Sequence, residues 1–353
     1  MENQYKCIDC FSGAGGLCLG LIEAGFNVLY SFDIDPHSIA SINANPLYFK
    51  EHRAEVQDIN NIEPQELLHS LDLKSGELDL LAGGPPCQGF SVQRIGSDYD
   101  ERNHLVEEYI SKVIAIRPKM FILENVPGIE GKRGHDILHH ALKQVEDSGY
   151  YIHEQVLDAQ DYGVPQRRRR VVIVGERQDH TQPLFQYPTP HTRKVTVRET
   201  IANLPEPPAD GSEHPDVSLH RRDRLSAKNI ARLQHLKPGQ GRDYLPTELL
   251  ADCHKISSQK IGHRNVYGRM PWDDVAPTIT ARFDSFTRGM FGHPQQDRSI
   301  SLREGALLQT FPKDFVFCGN KVEIARQIGN AVPVNMAKEI GLQIIKCLEQ
   351  WNS

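Results

Sequence analysis

The chain has 353 residues, 24% of them charged, with a formal net charge of −6. That length passes the roughly 250–300 residues at which single cores stop growing, so two lobes are expected, and the acidic balance means that any nucleic-acid surface must be local. No apolar run approaches the roughly 18 residues of a membrane span, and residues 1–6 are too polar to open a secretory signal, so a cytoplasmic protein without a membrane partner is expected.

Residues 6–11 form a strand candidate, followed by Ser12-Gly13-Ala14-Gly15-Gly16 and an apolar-periodic helix over 17–24. Strand, glycine turn and helix make a nucleotide-binding unit, in which glycines let the backbone approach a ligand. A dinucleotide fingerprint starting at Gly13 needs glycine at position 18, which is Cys18, so a smaller nucleoside is favoured. Cys7 and Cys10 have no second pair at zinc spacing and read as strand residues. With seven cysteines spread thinly, the pattern predicts reduced thiols and no metal.

The second strand, 27–32, ends in Asp33-Ile34-Asp35. An acid at this position accepts from both hydroxyls of a ribose, and Asp33 is the candidate; Asp35 suits the N-cap of a helix opening at Pro36. Asp58, followed by Ile59, is either an acceptor for an adenine amino group or an ordinary turn aspartate. Residues 78–81 read as a buried strand that closes on Gly83-Gly84-Pro85-Pro86 and delivers Cys87 to the sheet edge where ligands bind. A lone cysteine is more often a small buried apolar residue, so Cys87 depends on its neighbours for a chemical reading.

Polar residues 91–100, including Gln93, read as a loop able to close over a substrate. A helix over 102–116 and a strand over 120–123 follow, and the strand presents Glu124 beside Cys87. A carboxyl group next to a thiol, both over a nucleoside, is a site constellation. Strands are expected over 151–157 and 170–174, and a two-residue period puts Gln166, Arg168 and Arg170 on one face. A short helical segment at 196–207 marks a lobe boundary. Beyond it, basic, polar and aromatic residues interleave at 220–224, 255–264 and 267–272, as on a surface that sits on phosphates and base edges. Residues 278–282 and 288–293 alternate like strands of a small β lobe. From 209 to 298 there are 14 Lys plus Arg against 11 Asp plus Glu, a local excess of three.

Taken together, the sequence resembles the DNA cytosine methyltransferases that modify carbon 5 of the base. The resemblance is carried by Asp9-Cys-Phe-Ser-Gly-Ala-Gly-Gly16, Asp33, Asp58-Ile59, Gly84-Pro-Pro-Cys-Gln88, Glu124-Asn-Val126, Gln166-x-Arg168-x-Arg170, Arg303-Glu304 with Leu308-Gln-Thr-Phe-Pro312, and Gln327-Ile-Gly-Asn-Ala-Val-Pro333. It implies an α/β fold, a doubly wound, mostly parallel S-adenosylmethionine-dependent sheet with a smaller, irregular, β-rich target-recognition lobe. The expected boundaries are 1–194 completed by 322–353, and 195–321.

The cofactor residues it implies are Phe11, Gly13, Gly15, Gly16, Asp33, Ile34, Asp58, Ile59, Pro86, Leu105 and Asn330, with S-adenosylhomocysteine as product. Many relatives carry Glu-Trp where this chain has Asp33-Ile34. The implied catalytic set is Cys87, adding to carbon 6; Glu124, at ring nitrogen 3; and Arg168, at the base carbonyl. Ser91, Gln93, Arg170, Arg269 and Arg282 are the expected contacts to double-stranded DNA.

A monomer acting in a restriction-modification pair, with a separate endonuclease, is expected. The alternative substrate is tRNA, but the Cys-Phe-Thr tripeptide of that branch is absent. A dinucleotide oxidoreductase conflicts with Cys18, and an inactive DNA-binding relative with the intact Cys87, Glu124 and Arg168.

Overall fold

A computed structural model describes residues 5–50, 52–86, 104–130, 135–255 and 266–351. The chain divides into two compact units, one of residues 1–158, 169–190 and 332–353, the other of residues 159–168 and 191–331.

The first unit carries, in order, β1 (Tyr5–Cys10), α1 (Gly16–Ala24), β2 (Phe26–Asp33), α2 (Pro36–Asn43), β3 (Arg53–Val56), α3 (Pro64–Ser70), β4 (Leu80–Gly83), α4 (His104–Ile116), β5 (Met120–Asn125), α5 (His135–Asp147), β6 (Tyr150–Asp158) and β7 (Arg169–Arg177). The strands form one sheet of order β3-β2-β1-β4-β5-β7-β6. β1 to β5 pair in parallel, and β7 runs antiparallel to both β5 and β6. All four residues of β4 are buried, as in a strand covered by helices on both faces. α4 turns Val106, Tyr109, Ile110, Val113 and Ile116 inward, a helical spacing that seats one stripe on the sheet.

Local chemistry sets the first turns. Asp35 caps α2 by accepting from the His37 amide at 3.4 Å and the Ser38 hydroxyl at 2.9 Å, with Pro36 at the first helical position. Gly15, the N-cap of α1, has φ +86°, and a Cβ there would lie 2.8 Å from the Phe49 ring, so the turn requires glycine twice over.

The second unit is built differently. It holds α6 (Val197–Ile201), β8 (Glu213–His214), β9 (Val217–Arg221), α7 (Ala227–His235), α8 (Asp252–Lys255), α9 (Leu302–Leu308) and α10 (Lys321–Asn330). The chain then returns to the first unit through α11 (Val334–Trp351). Among the described residues its only sheet is the β8-β9 pair.

The strands expected at 278–282 and 288–293 do not form: around Ile279 side chains take the peptide groups that a sheet would have used, and around Gly292 the main chain makes only isolated bridges, to Arg269 and Ser299. Gln166 Oε1 accepts from the Ile279 amide at 2.7 Å, Arg168 Nη1 donates to the Ile279 carbonyl at 3.0 Å, and Thr278 donates to the Arg167 carbonyl at 2.8 Å. The shared strand face expected for Gln166, Arg168 and Arg170 is also corrected. β7 begins at Arg169, so Arg170 is on the strand and the other two belong to the second unit.

One buried carboxyl group is pushed towards its neutral form. Asp9 in β1 is fully buried, and neither carboxyl oxygen has a hydrogen-bond partner of good geometry. Burial raises its pKa well above the carboxylate range and the charge of Asp33 adds to the rise, while the Cys18 amide offsets part of it. Folding therefore takes up a proton between the ordinary carboxylate pKa and the raised one, so this group's contribution to stability falls as pH rises. Asp9→Asn, which mimics the neutral acid, is expected to be more stable than the wild type at neutral pH. The difference should grow with pH by up to about 1.4 kcal/mol per unit. Urea unfolding between pH 5.5 and 8.5 checks this, and a pH-independent difference refutes it.

Candidate active site

The carboxyl ends of β1, β2 and β3 open on a cavity of about 240 Å³, whose wall includes Phe11, Asp33, Ile34, Asp58, Ile59, Pro86 and Leu105. These seven were expected at a cofactor. β1 is hydrogen-bonded to β2 on one side and β4 on the other, and the connections leave it in opposite senses; such a switch point is where an open α/β sheet forms a crevice. Phe11 leaves β1 with φ +57°, an uncommon conformation for a bulky residue, and its ring joins the wall.

Asp33 is fixed by two main-chain amides, Gly13 to Oδ2 and Asp35 to Oδ1, each at 2.8 Å. Gly13 (φ +52°) and Gly15 shape the turn, and Gly16 starts α1, so the three glycines act through main-chain geometry. Asp58 has the role of a turn aspartate and also borders the cavity. Its Oδ1 accepts from the Asn60 amide at 3.0 Å as a turn cap. Ile34 is 68% exposed beside it. Two carboxylates, a ring and aliphatic walls fit a ribose and a flat base. Among the described residues no group of three or more His, Cys, Asp or Glu is arranged to hold a metal ion.

The second part of the site is at the ends of β4 and β5. Gly83 pairs with Leu123, which sets Gly84 beside Glu124; a Cβ on Gly84 would lie 3.1 Å from the Glu124 carboxylate. Arg170 on β7 places Nε 2.8 Å from Glu124 Oε1, with both side chains about seven-eighths buried. Asn125 was expected only as a member of a motif, yet it has a structural task of its own. Its amide donates to the Pro85 carbonyl at 3.1 Å, and its oxygen accepts from the Val126 amide at 2.8 Å, pinning the Pro-Pro turn to the neighbouring strand. Cys87, Ser91 and Gln93 lie outside the described residues.

Two arginines are not where the sequence reading put them. Arg168, expected on the base carbonyl, is 1% exposed, and its guanidinium donates to the carbonyls of Ile279 and Gly329 at 3.0 Å. Arg269, expected on DNA, is buried with all three nitrogens engaged inside the second unit. Nε donates to the Leu233 and Leu236 carbonyls, Nη1 to those of His293 and Gln296, and Nη2 to Asp297. Both readings are corrected by the same physics: a buried guanidinium must spend its donors on the protein. Asn330 ends α10 with an exposed side chain, and Arg282 remains partly exposed in the second unit.

Comparison with known proteins gives this arrangement its family. A profile described as C-5 cytosine-specific DNA methylase matches residues 5–346. The Type II methylase M.HgiDII of Herpetosiphon aurantiacus is 36% identical over 346 residues, 97% of this chain and 95% of that protein. Type II methyltransferase M1.HphI of Haemophilus parahaemolyticus is 35% identical, covering 96% of this chain and 86% of its own length. Among solved structures, an E. coli prophage protein assigned as a DNA modification methyltransferase superposes with a TM-score of 0.73 at 27% identity, covering 98% of this chain and all of that one. The chain belongs to the C-5 cytosine-specific DNA methylase family.

Proposed function

We propose that this DNA cytosine-5 methyltransferase draws its methyl group from S-adenosylmethionine, held in the cavity at the ends of β1 to β3, and acts on a flipped-out cytosine through Cys87. The observation that carries this reading is the tripeptide Gly84-Pro85-Pro86: Pro86 lines the cavity while Gly84 borders Glu124, so one short turn links the cofactor wall to the carboxylate. Phe11 and Ile59 take the base of the cofactor, Asp33 its ribose hydroxyls and Asp58 its amino group. When bound, the cofactor supplies an electrophilic methyl group.

Carbon 5 of cytosine is a weak nucleophile. The Cys87 thiolate adds to carbon 6 and raises electron density at carbon 5. Glu124 holds a proton at ring nitrogen 3, so the charge that develops on addition is neutralised where it appears. Arg170 takes the contact with the base carbonyl that the sequence reading gave to Arg168, because Arg170 is the guanidinium paired with Glu124. After methylation the carbon 5 proton and the thiol leave and the ring is restored. A base inside a duplex is out of reach of such groups, so the cytosine is extruded, with Ser91 and Gln93 on the DNA side. The Type II names of the relatives support a role beside a restriction endonuclease. One flipped base needs one pocket, which favours a monomer in the cytoplasm.

Incubation with labelled S-adenosylmethionine and duplex DNA containing 5-fluorocytosine is expected to leave a methylated, covalent protein–DNA band on a denaturing gel, because fluorine does not depart as a proton does. The band should vanish in Cys87→Ala. A band with tRNA and none with varied duplexes transfers the reading to RNA. Arg170→Ala is expected to lower kcat about 100-fold, the scale for losing one charge-stabilising donor, with cofactor affinity retained. Asp33→Ala should weaken S-adenosylhomocysteine binding by calorimetry; unchanged affinity there removes the cavity assignment.

A further inference from the structure

The second unit contains another cavity, of about 300 Å³, lined by Asp223, Arg224, Ser226, Arg282, Asp284 and Lys321 among others. Three cations meet two carboxylates, and the pairing is uneven. Lys321 lies 2.5 Å from Asp223 and 3.5 Å from Asp284, so one ammonium faces both acids. Asp284, with its carboxylate 4% exposed, also holds Arg282 by Nε at 3.1 Å. Gripped at Nε, Arg282 is fixed in direction, and neither of its Nη atoms makes a hydrogen bond among the described residues. Arg224 is exposed and makes no ion pair among them.

The net charge left in the lining is one positive unit. Ser226 caps the nine-residue α7 and accepts from the Asn229 amide at 3.3 Å, so the positive end of that helix faces the cavity as well. The uncommitted groups are donors: a guanidinium fork and a second guanidinium. The carboxylates that could accept from an amino group of adenine or cytosine are already paired.

We infer that this cavity holds one phosphodiester of the DNA backbone, gripped by the Nη edge of Arg282 and by Arg224, with Asp284 and Lys321 as positioning residues. The inference rests on the DNA methyltransferase reading and deepens it by placing an anchor that carries no sequence information. A planar guanidinium held from behind by a buried carboxylate is pre-organised for two oxygens of a phosphate, and the single excess charge matches a monoanionic diester. Phosphate contacts fix register on the duplex and leave sequence to be read elsewhere.

The test measures Kd against KCl concentration for a fluorescent duplex that the wild type methylates and for an unrelated duplex, with wild type, Arg282→Gln and Arg224→Gln. Arg282→Gln is expected to weaken binding to both duplexes alike, on the order of tenfold, and to reduce the slope of log K against log[KCl] by about one, with the methylated sequence unchanged. Arg224→Gln should act in the same direction, and because Arg224 is exposed it keeps the test valid if the other variant fails to fold. Relaxed sequence preference at a single base pair overturns the inference in favour of a base contact, and an unchanged slope in both variants overturns it outright. A wild type that neither binds nor methylates any duplex removes the functional reading itself, so the two failures are distinguishable.

Discussion

The parallel register of β4 on β5, which sets Gly83 opposite Leu123, is the constraint on which the rest of the site depends. It brings the residue after one strand against the carboxylate at the end of the next. A slip of one residue would turn Glu124 to the other face of the sheet. Several contacts hold the register from both sides. The Tyr109 hydroxyl lies 2.9 and 2.6 Å from the carbonyls of Leu81 and Ile122, one on each strand, and Asn125 clasps Pro85 beyond the strand end. α4 thus does more than cover the sheet with an apolar stripe, since its tyrosine bridges the pair that carries the chemistry.

Much of this was legible in the sequence because it is local or periodic. Continuous apolar runs announce buried parallel strands, Asp35 before Pro36 announces a helix start, and acids at strand ends announce a crevice. The arginines were not legible. Arg168, Arg170 and Arg269 are the same residue type in basic stretches, but one is locked under main-chain carbonyls, one pairs with an acid and one braces a loop. What distinguishes them is which acceptors the folded chain brings near, and that is long-range information. Asp33 stood out by position, whereas the amides that fix it come from 20 residues upstream and two residues downstream.

The second unit shows the same limit. Alternating residues at 278–282 promised strands, yet Gln166 and Arg168 bond the main chain there, and Gly329 approaches so closely that a Cβ would lie 2.2 Å from the Thr280 carbonyl carbon. Gln309 extends the knot by donating to the Ile328 carbonyl at 2.6 Å. Three short motifs far apart in the sequence are therefore mutually satisfying parts of one core, and their side chains replace the backbone ladder of a sheet. Buried side-chain networks of this kind specify a single arrangement when every member is bonded.

In the first unit, α1 lies against α11, and a Cβ on Gly20 would fall 2.4 Å from that of Ala337. α1 is thus covered by a segment that follows the whole second unit in the chain. The face of α1 that meets α11 stays uncovered while the intervening chain is made. Contacts of such large sequence separation are slow to form, so the α1–α11 contact raises the contact order of the fold.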